Sequence, residues 1–252
     1  MEEMDFCEYL PGGKSHERCQ GRLAEFRRGM AEAIGTFALV LVSCLASASP
    51  YSTDISKSLA VGMLVMGLVF SIGQVSGAHF NPAVSVAFSL RFAFQWWRLL
   101  YYIPAQFGDV GASLPEGMTS QAALGLEIAF SSIFLFIVLN VAERAKVVGP
   151  NGALATGLAL IALATVGGPL GGTSMNPFRS LAPALLAGGK ALDEVWLFIV
   201  GPLVGAVIAV LLTFLLGSRV HPLAYHKATG IGRSGPEDVE ELLAGDQEPT
   251  ER

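Results

Sequence analysis

The chain has 252 residues, 52% of them hydrophobic and only 15% charged, with a net charge of −5 and a mean hydropathy of +0.53. Soluble domains carry charge on roughly a quarter of their residues, so this composition excludes an ordinary soluble domain and indicates a multi-pass membrane protein. The net charge of −5 belongs largely to the polar, acidic C-terminal segment, and nothing in the composition predicts a nucleic-acid partner.

Five apolar runs follow one another along the chain, and most approach the ~20 residues that a helix needs to cross the hydrocarbon layer. They cover residues 29–48, 58–76, 122–141, 151–167 and 194–216. A sixth and weaker run lies near residues 97–113. We therefore predict an all-α membrane protein with six crossings, the third of which is abnormally short.

The basic residues predict the orientation of these helices. Most of them lie in segments that six crossings place on one side: Arg22, Arg27, Arg28, Arg91, Arg98, Arg144, Lys146, Arg219, Lys227 and Arg233. Because cytoplasmic segments carry an excess of Lys and Arg, we expect both termini in the cytoplasm. We assign an N-terminal tail (1–28), a membrane domain (29–217) and an acidic C-terminal tail (218–252). The sequence fits a plasma membrane and an intracellular membrane equally well.

The membrane domain contains an internal repeat. Asn81 and Asn176 are both followed by Pro, and they stand 95 residues apart, as do Glu32 and Glu127. Each half, about 29–113 and 122–217, holds three crossings. Because three is an odd number, the second half must be inverted in the membrane relative to the first.

Asn followed by Pro favours a helix start, because Asn caps free backbone N–H groups and Pro lacks the N–H that would be left unpaired. We predict two helices, from Pro82 to about Leu90 and from Pro177 to about Ala187, the second ended by glycines. At 1.5 Å per residue they are ~13 and ~16 Å long, so two of them entering from opposite sides fill the ~30 Å hydrocarbon thickness.

The Gly-rich segments that lead into these half helices, "GQVSGAHF" and "GGPLGGTSM", cannot expose unpaired backbone groups to lipid, so they must line a polar cavity. Their carbonyl groups accept hydrogen bonds, while the helix N-termini and the Asn amides add positive potential and donors. This arrangement favours a file of neutral hydrogen-bonding molecules and opposes cations.

The stretches "SGAHFNPAVS" and "GGTSMNPFRSLAPAL" resemble the two signatures of the major intrinsic protein family, the aquaporins and aquaglyceroporins. The resemblance covers about residues 29–217. It implies six transmembrane helices with two re-entrant half helices, one pore per subunit, and a homotetramer in the membrane. It implies a channel for water, open to small neutral solutes such as glycerol, urea, metalloid acids or hydrogen peroxide, that excludes protons and cations.

The resemblance also assigns the pore residues. The two Asn-Pro motifs are Asn81-Pro82-Ala83 and Asn176-Pro177-Phe178, and the selectivity filter comprises Val61, Ala164, Thr173 and Arg179. Val61 and Ala164 are smaller than the residues usual in strict water channels, which implies a wide filter. Ser180, Ala184 and Phe198 resemble the water-selective branch, whereas Ile199 resembles the glycerol branch, so the solute range stays open. Phe178 replaces the usual Ala and is expected either to narrow the midplane or to shift the junction between the half helices.

Three further polar residues lie in the apolar segments. Glu32 and Glu127 fit a proton relay or acceptors that hold the pore loops through backbone N–H groups, and we favour the acceptors. His79 fits a pH sensor or a packing residue, and we favour packing. The sequence contains no spacing typical of a catalytic, cofactor or metal site, so we expect no enzymatic activity.

The third crossing breaks the repeat. Residues 99–113 would form a helix of ~22 Å, which is shorter than the hydrocarbon core, and polar residues stand where apolar ones are expected. An internal deletion of about two dozen residues explains the difference. The alternative function is therefore a non-conducting or poorly folding subunit that assembles with complete ones, and an anion channel is a third possibility.

Overall fold

The computed structural model describes residues 13–106, 118–143, 151–171 and 173–216, and all regular structure in these ranges is helical. The helices are α1 (Gly13–Ala48), α2 (Asp54–Ser76), α3 (Pro82–Leu90), α4 (Leu99–Ala105, preceded by a 3₁₀ turn at Trp96–Arg98), α5 (Ser120–Glu143), α6 (Gly152–Gly171), α7 (Pro177–Ala187), α8 (Gly189–Glu194) and α9 (Leu197–Leu215). The predicted all-α architecture is confirmed.

Five segments among the described residues are long and apolar enough to cross a membrane. They are Leu23–Ala48, Asp54–Ser76, Ser120–Ala142, Gly152–Leu170 and Gly189–Leu215, and they contain the five predicted apolar runs almost completely. α1 begins at Gly13, inside the segment assigned to the N-terminal tail, because polar helix-forming residues continue the helix beyond its apolar part. The acidic tail at 218–252 lies outside the described residues.

The half helices have the predicted bounds. α3 covers Pro82–Leu90 and α7 covers Pro177–Ala187, each with Pro in its first turn. At Gly188, which follows α7, the backbone has a φ of 63°, a conformation that glycine adopts without a steric penalty. The local signals for starting and ending a helix were therefore sufficient to predict both elements.

α2 and α6 cross at two glycines that are themselves 95 residues apart. A Cβ added to Gly157 would lie 2.7 Å from the carbonyl oxygen of Gly62, and one added to Gly62 would lie 2.8 Å from that of Gly157. The two backbones are in direct contact at this crossing, which small residues permit in membrane helices. The contact joins the two halves of the repeat.

α9 packs along α5 and against both half helices, whereas α4 packs on α1 and α3. α4 has seven residues and lies in the predicted third crossing. The remainder of that crossing, residues 107–113, lies outside the described residues.

Three buried polar side chains, spaced four residues apart, attach the third crossing to the rest of the fold. Arg98 donates to Glu25 Oε1 (3.0 Å), and the hydroxyl of Tyr102 donates to the carbonyl oxygen of Ser76 (2.5 Å). The amide of Gln106 donates to Glu32 Oε2 (2.7 Å). A spacing of four residues places all three on one helix face, so hydrogen bonds supplement the small apolar area of this helix.

Candidate functional site

The two half helices begin with the same cap. The side-chain oxygen of Asn81 accepts a hydrogen bond from the backbone N–H of Ala83 (2.9 Å). The side-chain oxygen of Asn176 accepts from the N–H groups of Phe178 (3.1 Å) and Arg179 (3.4 Å). Each cap directs the amide nitrogen of the Asn away from its own helix.

The two Asn side chains also bond the opposite half of the repeat. Asn81 Nδ2 donates to the carbonyl oxygen of Met175 (2.8 Å), and Asn176 Nδ2 donates to that of Phe80 (2.9 Å). These reciprocal bonds bring the N-termini of α3 and α7 together inside the bundle. An Asn amide carries two N–H donors, so each nitrogen retains one donor beyond the bond described.

The carbonyl groups that accept these bonds lie in strained turns. Phe80 and Met175, again 95 residues apart, have φ angles of 49° and 54°. This left-handed conformation costs about 1–2 kcal/mol in a residue with a Cβ. It turns each carbonyl toward the Asn of the other half, which is a reason for its occurrence at both positions.

The loop before each half helix, residues 77–81 (the first loop) and 173–176 (the second loop), is bound by one buried carboxylate. Glu32 accepts from the backbone N–H groups of His79 (2.9 Å) and Phe80 (2.7 Å). Glu127 accepts from those of Ser174 and Met175, the latter at 3.0 Å. The acceptor geometry that we favoured over a proton relay is present in both halves, because each carboxylate pairs with backbone donors that would otherwise be buried without a partner.

Further polar residues, which the sequence reasoning missed, support the first loop. The hydroxyl of Ser76 donates to Glu32 Oε1 (2.7 Å), and Gln106 donates to Ser85 Oγ (3.0 Å) as well as to Glu32. The recurrence of Arg98, Tyr102 and Gln106 at four-residue spacing within a weakly apolar run was the signal in the sequence for this network.

His79 lies in an aromatic cluster beside the first loop. Its ring stacks on Phe88 (centroids 5.1 Å apart) and also contacts Phe94 and Tyr102. Nδ1 lies 2.9 Å from Ser85 Oγ. These contacts agree with the packing role that we favoured for His79, which stays a prediction.

Arg179 is held at the second loop. Nη1 donates to the carbonyl oxygens of Thr173 (2.9 Å) and Ser174 (3.3 Å). Arg179 keeps part of its surface accessible to solvent.

The four predicted filter residues come from three parts of the fold. Thr173 and Arg179 are in direct contact, as described. Val61 lies on α2 in a buried cluster with Leu39 and Phe80, and Ala164 lies on α6, which packs along α2. Their assignment as a common constriction stays a prediction.

The half helices are joined beside Phe178. Both reciprocal Asn bonds have ordinary lengths, and α7 begins at Pro177 as predicted. A narrower midplane and a shifted junction both stay predictions for Phe178. Ala83, the corresponding residue in the first half, is completely buried, whereas Phe178 is partly exposed.

Within the described ranges, no three His, Cys, Asp or Glu side chains are grouped so that they could hold a metal ion. The arrangement offers instead two helix N-termini, two amides and one guanidinium. All of them donate hydrogen bonds; the helix N-termini carry a positive partial charge and the guanidinium a full positive charge.

A family model and individual relatives that match this chain all belong to one family of membrane proteins. The family model described as "Major intrinsic protein" matches residues 21–114 and 107–213, two pieces that overlap at 107–114. A "Probable aquaporin NIP-type" of Nicotiana alata is 32% identical over 216 residues, covering 77% of this chain and 79% of the relative. A "Putative aquaporin NIP4-1" of Arabidopsis thaliana is 36% identical over 200 residues, with 71% and 70% covered.

A solved structure has the same fold. The X-ray structure of the aquaglyceroporin from Plasmodium falciparum superposes with a TM-score of 0.66 at 20% identity, covering 75% of this chain and 95% of that one. At this identity the likeness concerns the fold alone.

Proposed function

Because the chain belongs to the major intrinsic protein family and is an integral multi-pass membrane protein, we propose that it is a passive channel for water and small neutral solutes that excludes protons and cations. The observation that carries the proposal is the reciprocal pair of bonds from Asn81 to Met175 and from Asn176 to Phe80. It joins two half helices at their N-termini and leaves one amide donor of each Asn for a passing molecule.

The polar groups along this passage suit a neutral hydrogen-bonding molecule. A water oxygen accepts from the Asn amides, which directs the hydrogens of that water away from the junction and interrupts transfer of protons between neighbouring waters. The two helix N-termini place positive partial charge at the same point and repel cations. No covalent chemistry is involved, in keeping with a family of channels rather than enzymes.

We assign selectivity to Arg179 together with Val61, Ala164 and Thr173. Arg179 provides fixed donors for a solute and a full positive charge against cations. Val61 and Ala164 are small and apolar, which supports a constriction wide enough for glycerol, urea, metalloid acids or hydrogen peroxide as well as water. The Plasmodium protein with the same fold is named an aquaglyceroporin, and the plant relatives are named aquaporins.

The proposal is tested with the purified protein in liposomes. In a sorbitol gradient, stopped-flow light scattering should show faster shrinkage than in empty liposomes. In a glycerol gradient, shrinkage should be followed by faster re-swelling if the filter is wide. Equal rates in loaded and empty vesicles, with the protein folded and inserted, would contradict conduction.

A second candidate function is a non-conducting subunit that assembles with complete ones. It is favoured by the length of the third crossing, because residues 99–113 would form a helix of only ~22 Å, shorter than the hydrocarbon core. In that case the protein alone gives the rates of empty liposomes, and it alters the rate only when reconstituted with a complete relative.

We further propose a homotetramer with one passage in each subunit, as the family resemblance implies. Light scattering coupled to size exclusion in detergent measures the number of chains per particle. Four chains support this proposal, and one chain contradicts it.

A further inference from the structure

A cluster of three charged side chains joins α1 to the start of the third crossing. Oε1 of Glu25 accepts hydrogen bonds from Nη1 of Arg28 (2.5 Å) and from Nη2 of Arg98 (3.0 Å). Two guanidinium groups therefore share one oxygen of a single carboxylate. Because arginine stays protonated in proteins, the cluster has one positive charge more than its carboxylate balances.

Four polar atoms of this cluster have no hydrogen-bond partner among the described residues. They are Nε and Nη1 of Arg98, Nε of Arg28 and Oε2 of Glu25. The side chain of Arg98 is only 5% exposed, and those of Arg28 and Glu25 are 11% and 18% exposed. Since buried polar groups are paired in the great majority of cases, unpaired guanidinium donors beside an excess positive charge indicate an anionic ligand.

The cluster lies at the edge of the membrane-spanning part of the fold. Glu25 and Arg28 stand in the first two turns of Leu23–Ala48, a segment long and apolar enough to cross a membrane. The guanidinium of Arg98 lies 5.2 Å from the ring centre of Trp97. The elements that carry the cluster also expose large apolar and aromatic side chains: Phe26, Trp96, Trp97, Leu100 and Tyr101. Exposed Trp and Tyr are typical of the level of the lipid headgroups, where the abundant anions are phosphates.

We propose that Arg28 and Arg98 bind the phosphate of an anionic phospholipid, in the leaflet on the proposed cytoplasmic side. The unpaired guanidinium donors bond the phosphate oxygens. Oε2 of Glu25 accepts from a hydroxyl or ammonium group of the same headgroup, which glycerol and serine headgroups carry. Anionic lipids are attracted to basic residues at this surface, whereas phosphatidylcholine has neither a net charge nor such a donor.

The lipid reaches the cluster from the side of α1. The unpaired atoms are enclosed, but Arg28 and Glu25 keep part of their surface exposed, so a turn of the Arg28 side chain opens the donors of Arg98 to the headgroups. The bound phosphate then joins α1 to the third crossing. Because Tyr102 and Gln106 follow Arg98 on the same helix face, the lipid supports the helix that also bonds the first loop and its carboxylate.

The first test measures the Tm of the purified protein in an uncharged detergent, and it needs no conduction. Phosphatidylglycerol should raise the Tm by several degrees, because a ligand that binds only the folded protein stabilises it. Phosphatidylcholine at the same concentration, and inorganic phosphate at matched ionic strength, should leave the Tm nearly unchanged. An equal rise with phosphatidylcholine would contradict selection of an anionic lipid, and an equal rise with inorganic phosphate would indicate a site for the free anion. Either result would overturn the proposal.

The second test compares Arg28→Gln with Arg27→Gln, which makes the same change of charge at an exposed neighbouring residue. The rise with phosphatidylglycerol is measured against the Tm of each variant without lipid. Arg28→Gln should lose most of the rise, and Arg27→Gln should keep it. Equal rises in the two variants would show that the lipid is attracted to basic residues in general and would overturn the site.

Glu25→Gln separates lipid binding from ion pairing, and it decides the matter even if Arg28→Gln does not fold. The substitution keeps the shape of the side chain but removes the negative charge that competes with a phosphate for both guanidinium groups. The Tm without lipid should fall, and the rise with phosphatidylglycerol should exceed that of the wild type. At limiting lipid, native mass spectrometry should show a larger fraction of chains with phosphatidylglycerol bound. A cluster that is only an ion pair between helices would give a lower Tm with no larger rise, which would overturn the proposal.

Discussion

Three side chains hold the loops before α3 and α7 in place through hydrogen bonds to the backbone of these loops. Each of the two buried carboxylates accepts from two consecutive backbone N–H groups, and Arg179 bonds two consecutive carbonyl groups of the second loop. Because these groups are enclosed by protein, removal of one partner leaves the other without a hydrogen bond, and the loss falls on the loop that shapes the passage.

Glu127→Ala should destabilise the protein strongly. It leaves the N–H groups of Ser174 and Met175 without an acceptor, at a cost of about 1–3 kcal/mol for each unsatisfied group. Glu127→Gln retains one carbonyl acceptor and should lose less. Thermal unfolding in detergent measures the difference, with Ser132→Ala, whose hydroxyl donates to the carbonyl oxygen of Ile128 within α5, as the control. Equal Tm values for the Ala and Gln variants would contradict the acceptor role.

Arg179→Val should increase the flux of protons. Two unit charges 4 Å apart repel by ~4 kcal/mol at an effective dielectric constant of ~20, so loss of the guanidinium should raise the flux by about tenfold or more. A pH-sensitive dye inside liposomes under a potassium diffusion potential reports this flux. Arg179→Lys preserves the charge and should keep the flux low. A Val variant that conducts water with an unchanged proton flux would refute the filter assignment.

Pairs of elements related by the repeat form the frame that positions these residues. α3 and α7 meet end to end, α2 and α6 cross at two glycines, and α9 packs against both half helices. The distance between α2 and α6 should also affect the proposed filter, since Val61 precedes Gly62 on α2 and Ala164 lies two turns beyond Gly157 on α6.

Gly157→Ala should lower the Tm, because the new Cβ would lie 2.7 Å from a backbone oxygen of α2 and 2.9 Å from Met66 Cβ. Neither atom can move without separating the helices, and overpacking of this kind costs about 1–3 kcal/mol. Gly168→Ala on the same helix is the control, since no atom lies within 4 Å of its added Cβ. Its Tm should stay the same or rise. A smaller loss at Gly157 than at Gly168 would contradict the close crossing.

In the whole molecule, the features that could be predicted from the sequence are those that recur in both halves of the repeat. The 95-residue offset and the Asn-Pro signals are local patterns, and they predicted the half helices to the residue. Contacts between distant segments were not predictable in this way. Gly35 is an example: a Cβ there would overlap the ring of Phe80, a proximity that no local pattern reveals. Gln106 was missed because the repeat fails in the third crossing.

The orientation predicted from the basic residues is a further property of the whole chain. In intact cells, epitope tags at both termini should be protected from external protease and should become accessible after permeabilisation. Lys57→Cys, in the first turn of α2, should react with an impermeant thiol reagent in intact cells. Removal of either tag without permeabilisation would contradict cytoplasmic termini.

We propose that Asn81 and Asn176 meet at one continuous passage for water. An electron cryomicroscopy map of the protein in a lipid bilayer, at a resolution that reveals ordered water, tests it most directly. We expect a single file of waters through each subunit, with one water within about 3 Å of both amide nitrogens, the usual hydrogen-bond distance. Amides that are separated, or sealed from every file of water, would contradict a passage at this junction.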